Sequence, residues 1–405
     1  EVSRVMSSKN VFEAEYQVPF LAHVPMEPMN CTVDFRSDMC EVWAPTQNPE
    51  SLQNGLVKAF NLKPEQILIH MPRSGGAFGR RYYVDYAIDT ALISKRIGRP
   101  VKLTWTREDD VKHDWYRSAS VQKLRASLDE RGNVTGWYHK VAGASRVTSL
   151  GREGEAFGTE LDEYEFPAGF IPNLTFEYSE VLSDVQLGQW RAVSNSANVF
   201  VVQSFIDELA YRAGMDPIEF YLQLLGPSRL VPIVGDYKLD ISRLIDVTTR
   251  VKANSNWGSA LPAGQGRGFA ASYNQGAFVA EVITVSVNES DVKILSVDAV
   301  VDCGIVVNPS GAEAQVQGAI IEGLCAAMFG EITINEGGTV QSNFNDYRWI
   351  RMREVPQINV EFVKSDKPPR GLGEPPLPPA APALTNAIFA ASGKRIRQLP
   401  VSKSL

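Results

Sequence analysis

The stretch QILIHMPRSGGAFGRRYYVDYAIDTALISKR, residues 66–96, holds a strand, a glycine-rich turn and a helix in direct succession. QILIHMP (66–72) is apolar enough for a strand. Val84, Ala87, Ile88, Ala91 and Leu92 recur at spacings of three and four, which predicts a helix over 82–96, stopped by Gly98 and Pro100. Between them lies SGGAFGRR (74–81). Glycines let backbone N–H groups approach a ligand closely, and a helix N-terminus favours anions. Arg80 and Arg81 add charge that can pair with phosphate. The segment is neither GxGxxG nor a P-loop, so a dinucleotide or nucleotide-triphosphate fold is not supported. Read alone, it is either a binding loop or a tight strand-to-helix turn.

Outward from this unit the pattern stays mixed. VKLTWT (101–106) and VQKLRASL (121–128) read as strands, and helices are expected at 197–213 and 217–225. FVAEVITVSV (278–287) and VKILSVDAVVD (292–302) read as a β-pair joined by NESD, and 311–329 and 383–392 as helices. The fold class is therefore α+β, with mixed sheets and packed helices. A polar Gly/Ser/Pro-containing stretch at 226–266 is the candidate boundary, dividing the chain into regions 1–226 and 227–405. The GQGRG run (264–268) reads as a flexible entry to the second region, and REDD (107–110) as a solvated turn.

With 405 residues, two or three domains are expected. The net charge of −7 argues against a nucleic-acid partner. The four cysteines form no CxxC pair, and no two of the four histidines share helical ligand spacing. A catalytic metal would have to be held by something other than protein side chains. No apolar run approaches the roughly 18 residues of a membrane-spanning helix. The start at Glu1, without a methionine or signal-peptide pattern, reads as a processed or split-off piece.

Three further segments can carry chemistry. In RGLGEPPLPPAAPA (370–383), Glu374 precedes a proline and is held extended, with prolines fixing the chain after it. A carboxylate confined there has a raised pKa and can serve as a general base. The alternative is a solvated Glu on a proline-rich surface loop. In GQWRAVSNSANVF (188–200), Arg191 precedes a helix and can equally be a surface arginine. In VDCGIVVNPSGAEAQVQG (301–318), Gln315 sits on the first turns of a capped helix.

Together these segments resemble the molybdopterin-binding subunit of the xanthine oxidase family of molybdenum hydroxylases, in the branch of isoquinoline 1-oxidoreductase β-subunits and membrane-associated aldehyde dehydrogenases. The resemblance runs almost end to end, through AHVPMEPMNCTV (22–33), EVWAPTQNP (41–49), GGAFGRR (75–81), PVKLTWTREDD (100–110), HDWYR (113–117), DELAYRAGMDPIEF (207–220), VDCGIVVNP (301–309), QSNFNDY (341–347), GLGEPP (371–376) and PALTNAIFAASGKRIRQLP (382–400). It implies the molybdopterin-binding fold of that family, with Gln47, GGAFGRR and Arg191 in the first region and the catalytic GLGEPP loop in the second.

Site roles are implied position by position. Glu374 matches the catalytic base, Gln47 a glutamine that hydrogen-bonds the apical oxo ligand of molybdenum, and Arg191 a wall arginine. Gly76, Ala77, Phe78, Gly79 and Arg80 match the loop beside the cofactor. Gln315 and Gly318 match the helix start near the pterin, and Gly373 the turn before the base. Arg117, Trp190 and Val193 match the substrate pocket. Ala77 stands where a third glycine is common. Val193 replaces an aromatic residue, so ring stacking as in the purine enzymes is not expected.

In this family molybdenum is held by the pterin dithiolene, with no direct protein ligand. The resemblance implies hydroxylation of an electron-poor carbon of an aldehyde or N-heteroaromatic ring. Water supplies the oxygen, Glu374 takes the proton, and Gln47 and Arg191 stabilise developing charge. It also implies the cytosine dinucleotide form of the cofactor. The implied partners are the N-terminal part of the molybdenum subunit or an equivalent chain, a subunit carrying 2Fe–2S clusters, and a cytochrome c subunit. A GQG-type segment and a Ser/Thr-rich segment that bind the pterin lie N-terminal in this branch and have no counterpart here. The chain is therefore expected to be a C-terminal part whose cofactor cavity opens on one side, in a bacterial periplasm or cytoplasm. The alternative is a non-catalytic scaffold subunit that keeps the fold.

Overall fold

The computed structural model describes residues 10–152, 154–234, 237–289 and 291–405. Ser290, in the NESD turn, lies outside them. The strands are β1 Val11–Val18, β2 Asn30–Phe35, β3 Cys40–Trp43, β4 Ile67–His70, β5 Val101–Thr104, β6 Ser120–Leu128, β7 Val134–Gly143, β8 Leu174–Glu180, β9 Leu230–Val234, β10 Tyr237–Asp240, β11 Gln265–Asn274, β12 Ala277–Asn288, β13 Asp291–Asp302, β14 Ile334–Asn335, β15 Gly338–Thr339 and β16 Gln357–Phe362. The helices are α1 Pro49–Phe60, α2 Asp85–Ile97, α3 Arg107–Lys112, α4 Asn195–Ala213, α5 Pro217–Leu225, α6 Ile241–Asn254, α7 Pro309–Met328 and α8 Ala380–Ser392.

Three four-stranded sheets carry the architecture, ordered β1-β6-β7-β8, β4-β3-β2-β5 and β11-β12-β13-β16. Each mixes antiparallel pairs with one parallel pair: β7 with β8, β3 with β4, and β13 with β16. The expected α+β class with mixed sheets is what forms. β12 is buried without interruption from Ala277 to Val285, as a strand covered on both faces must be. It packs against α8 and α6.

The reading of GQGRG needs correction. The GQGRG run is strand β11 itself, not a flexible entry. A Cβ on Gly268 would lie 2.1 Å from Ala387 N, and one on Gly266 2.4 Å from Ala391 N. The glycines let α8 lie directly on the strand. Within the polar stretch 226–266 the chain forms the antiparallel pair β9–β10 and helix α6. Asp240 caps α6 by accepting from Ser242 N, and Ile241, Leu244, Val247, Thr248 and Val251 form its buried stripe.

REDD is likewise no solvated turn. It opens the short helix α3, and Asp110 is buried, accepting from Met29 N (3.2 Å) and Arg107 Nη1 (2.6 Å). Burial and the neighbouring Asp114 push its carboxyl up to about 6.

His139 on β7 gives a pH prediction. It is fully buried, with Nε2 2.8 Å from Gln122 Oε1, and burial pulls its pKa down to about 3. The folded value lies below the unfolded value of about 6.5. Its contribution is complete above that unfolded value and is lost as pH falls toward 3, at about 1.4 kcal/mol per pH unit. His139→Leu should remove that component. Urea denaturation at pH 7 and pH 5 should show a smaller acid loss in the variant than in the parent, and equal losses would refute the assignment.

Candidate active site

The glycine loop leaves β4 and turns back through left-handed backbone at Gly76 (φ 107°), Phe78 (φ 56°) and Gly79 (φ 113°). Arg81 holds it from beneath, donating from Nε to Gly76 O (2.9 Å) and from Nη2 to Glu27 O (3.0 Å) and Glu27 Oε2 (2.9 Å). The same Glu27 oxygen accepts from Gly75 N (2.7 Å). Arg80 is fully buried. Its Nη1 and Nη2 donate to Asp85 at 2.9 and 2.7 Å, and its Nε lies 3.2 Å from Asp114. The phosphate-pairing reading of Arg80 and Arg81 does not fit these placements: both guanidinium groups are buried beneath the loop that they shape. Gln47, exposed beside it, accepts from Gly79 N at 3.1 Å.

A second loop, 188–193, is clamped to the first. His23 is buried, with Nδ1 3.0 Å from Asp114 Oδ1 and Nε2 2.8 Å from Gln189 O. Burial alone would raise the Asp114 carboxyl, but His23 and Arg80 overcome that and hold it below its ordinary value. The loops touch so closely that a Cβ on Gly79 would lie 1.6 Å from Gln189 O. Gly79→Ala combines this overlap with a positive φ, and should cost about 3 kcal/mol or more. Calorimetry checks this, and a variant within about 0.5 kcal/mol of the parent would show that the loops do not meet this way.

Past Trp190 the chain takes two consecutive left-handed residues, Ala192 (φ 68°) and Val193 (φ 50°). That is costly for a β-branched side chain, and such strain concentrates at functional sites. The turn aims Ala192 N–H at the Glu374 carboxylate. Arg191 Nη1 donates to Glu322 Oε2 (2.7 Å), Nη2 to Gln315 Oε1 (3.2 Å) and Nε to Gly373 O. Its guanidinium carbon also sits 5.5 Å from the Phe78 ring centre. Glu374, Gly373, Gln315, Arg191, Phe78, Gly79 and Gln47 thus form one connected set. Its face is open: Gln47 and Phe78 are exposed and Glu374 is half-buried. Burial raises the Glu374 pKa, while Arg191 and the Ala192 N–H work against the rise.

Two glycines on this face, Gly318 and Gly373, have no close partner among the described residues. A Cβ on Gly318, in the middle of α7, would meet no atom within 4 Å, and one on Gly373 only Gln315 Oε1 at 4.0 Å. Gly323, further along α7, is different, because a Cβ there would lie 2.8 Å from Leu377 O. Glycine inside a helix costs about 1 kcal/mol relative to alanine. Packing explains Gly323 and not Gly318, where an open glycine suits the close approach of a group from outside the chain. Open glycines beside Gln47 and Glu374 suit a cofactor that packs closely here. Among the described residues no group of three His, Cys, Asp or Glu side chains could hold a metal ion.

The expected pocket residues divide. Val193 is half-buried at the strained turn. Arg117 and Trp190 are buried and line only narrow clefts, Arg117 one of them together with Val193. Arg117 Nη2 donates to Pro19 O (2.8 Å), its guanidinium lies 5.8 Å from the Trp190 ring, and burial pulls its pKa down to about 10. Trp190 packs among Leu21, Ala319 and Leu377. Sequence reasoning missed His23, Asp114, Glu322 and Gln275. For Glu322 a signal existed, since it lies seven residues after Gln315, two turns along one face of α7.

Residues 1–223 and 229–356 each match a molybdopterin cofactor-binding domain. The chain belongs to the molybdopterin-binding family of the xanthine oxidase type. It is 32% identical to the membrane-bound aldehyde dehydrogenase (pyrroloquinoline-quinone) of Gluconacetobacter polyoxogenes, over 98% of this chain and 54% of that protein. It is 30% identical to the isoquinoline 1-oxidoreductase subunit beta of Brevundimonas diminuta, over 96% and 50%. The crystal structure of quinoline 2-oxidoreductase from Pseudomonas putida 86 superposes with a TM-score of 0.85 at 13% identity, covering 99% of this chain and 76% of that one, a likeness of fold. The chain spans about half the length of these two curated relatives.

Proposed function

We propose that this chain supplies the catalytic base and one wall of the cofactor site in a molybdenum hydroxylase acting on an aldehyde or an N-heteroaromatic ring. The observation that carries the reading is the half-buried Glu374, held between Arg191 and the Ala192 N–H, beside Gly318 and Gly373, on which nothing among the described residues packs closely. Gly76, Ala77, Phe78, Gly79, Gln315, Gly318 and Gly373 would border the cofactor, and Gln47 would hydrogen-bond it. A molybdenum pterin there, taken in its cytosine dinucleotide form, supplies the two-electron redox centre.

The chain's own part is proton transfer, orientation and electrostatics. The overall change replaces C–H by C–OH, takes the oxygen from water, and releases two electrons and two protons. Glu374 accepts a proton from the water-derived oxygen nucleophile through a carboxylate oxygen. Arg191, fixed by Glu322, is pre-oriented at no cost during the reaction. A cavity of about 480 Å³ that Gln275 lines together with Tyr164, Phe166, Tyr221 and Ser272 has a size suited to a ring substrate.

The relatives' lengths support a partner that completes the site: the N-terminal part of the molybdenum subunit or an equivalent chain. Electrons would leave through a 2Fe–2S subunit and from there to a cytochrome c subunit. The domain boundary is placed at 226/227. No helix among the described residues is long and apolar enough to cross a membrane, and a periplasmic or cytoplasmic complex is proposed. Metal and pterin analysis of the purified complex tests the reading against a scaffold role. The hydroxylase contains molybdenum and pterin in proportion to this chain. A fully assembled complex that stays free of both after expression with molybdate is a scaffold.

A further inference from the structure

The turn joining β11 to β12 consists of Gln275 (φ 50°) and Gly276 (φ 79°). Two left-handed residues make the hairpin turn whose twist matches the strands, and its first position favours Asn, Asp or Gly. Glutamine is a costly choice there. Its side chain nonetheless has a partner, donating from Nε2 to Glu374 Oε2. Two more contacts key the turn to the base loop. A Cβ on Gly276 would lie 3.0 Å from Arg370 Cδ, and one on Gly371 3.1 Å from Gln275 Oε1. Arg370 N in turn donates to Cys303 O (2.8 Å), which fixes the loop to the chain just beyond β13.

We propose that Gln275 is a positioning residue for the base, occupying Oε2 of Glu374 and holding its carboxylate in one orientation from a strained hairpin tip. The inference rests on Glu374 being the base. Among the described residues the charged groups near Glu374 are Arg191, the Glu322 paired with it, and Arg370, which packs on the Gly276 side of the turn, while Gln275 and the Ala192 N–H are neutral donors. A donor to the carboxylate favours its ionised form, so the sign of the effect follows the charge placed at 275.

The test is a charge series in the assembled, molybdenum-loaded complex. Gln275→Met removes the donor and should move the acid limb of kcat up by about one pH unit. Gln275→Glu adds a like charge and should move it further up, and Gln275→Lys should move it down. KM should change less than about twofold throughout, because the base acts in the transition state. Below the limb, kcat of Gln275→Met should fall about tenfold, the equivalent of one pH unit. A second readout does not depend on turnover: the infrared carboxyl band lost in Glu374→Gln should titrate in the same order across the series. A merely structural turn would give no such order. If the limb and the band stay at their parental pH in all three variants while Glu374→Gln abolishes turnover, the role of Gln275 is overturned and the base stands. If Glu374→Gln keeps full turnover, both are overturned.

Discussion

Glu374→Gln should lower kcat by at least about 10²-fold, and by as much as about 10⁴-fold, while molybdenum content stays at the parental level. The amide keeps the shape of the side chain and its contact with Gln275, but it cannot take a proton. The loss should fall on kcat rather than on KM alone, since the interaction develops in the transition state. Glu374 must be ionised to act. Burial raises its pKa against Arg191 and the Ala192 N–H, so activity should fall as pH drops through that raised value. Stopped-flow reduction of the molybdenum centre by aromatic aldehydes and N-heterocycles reads the step directly. Reduction at close to the parental rate, with unchanged metal, would mean Glu374 is not the base.

The second large effect should come from the buried pair behind it. Arg191 and Glu322 are 6% and 5% exposed at their side chains and meet at 2.7 Å. Removing either partner alone strands a charge in the interior, at a cost of about 3–5 kcal/mol. Arg191→Met should therefore destabilise the protein by that amount, seen as a lower urea midpoint at unchanged slope. The double variant Arg191→Met, Glu322→Leu should recover much of the stability without recovering activity. Burial already raises the Glu322 pKa, and Arg191 opposes the rise, so Glu322 left alone should take up a proton and soften the loss at acid pH. A single variant within about 1 kcal/mol of the parent would mean that the pair is solvated.

Local periodicity made much of the frame legible. The helix expected at 217–225 forms over Pro217–Leu225, and the β-pair 278–287 and 292–302 lies within β12 and β13. Helix α8 starts at Ala380, three residues before the expected start, because Pro382 is tolerated in a first turn, where its missing N–H has no helical partner. Helix α6 escaped notice because its buried stripe is embedded in a polar tract.

The site was legible in another way. Glu374, Arg191, Gln47 and Gln315 were found through resemblance in order and spacing, and the fold brings them into one connected set. What the chain did not reveal is who pairs with whom at long range. Arg80 looks like a phosphate ligand until Asp114, far along the chain, is seen beside it. Arg117 and Trp190 read as pocket residues, and how deeply they are buried shows only once the elements close over them. Charge and aromaticity can be read from a sequence; the direction a side chain faces depends on which elements close over it.

The most direct test of the central claim is the source of the product oxygen. In the assembled complex, turnover of an N-heterocycle that it oxidises, which carries no exchangeable oxygen of its own, should be run anaerobically in H₂¹⁸O with an artificial electron acceptor, and stopped before the product exchanges with solvent. Mass spectrometry should then find one ¹⁸O in each product molecule formed, and Glu374→Gln should form labelled product at least about 10²-fold more slowly. Product that forms under these conditions without ¹⁸O, or that requires O₂ and carries its oxygen, would contradict the account.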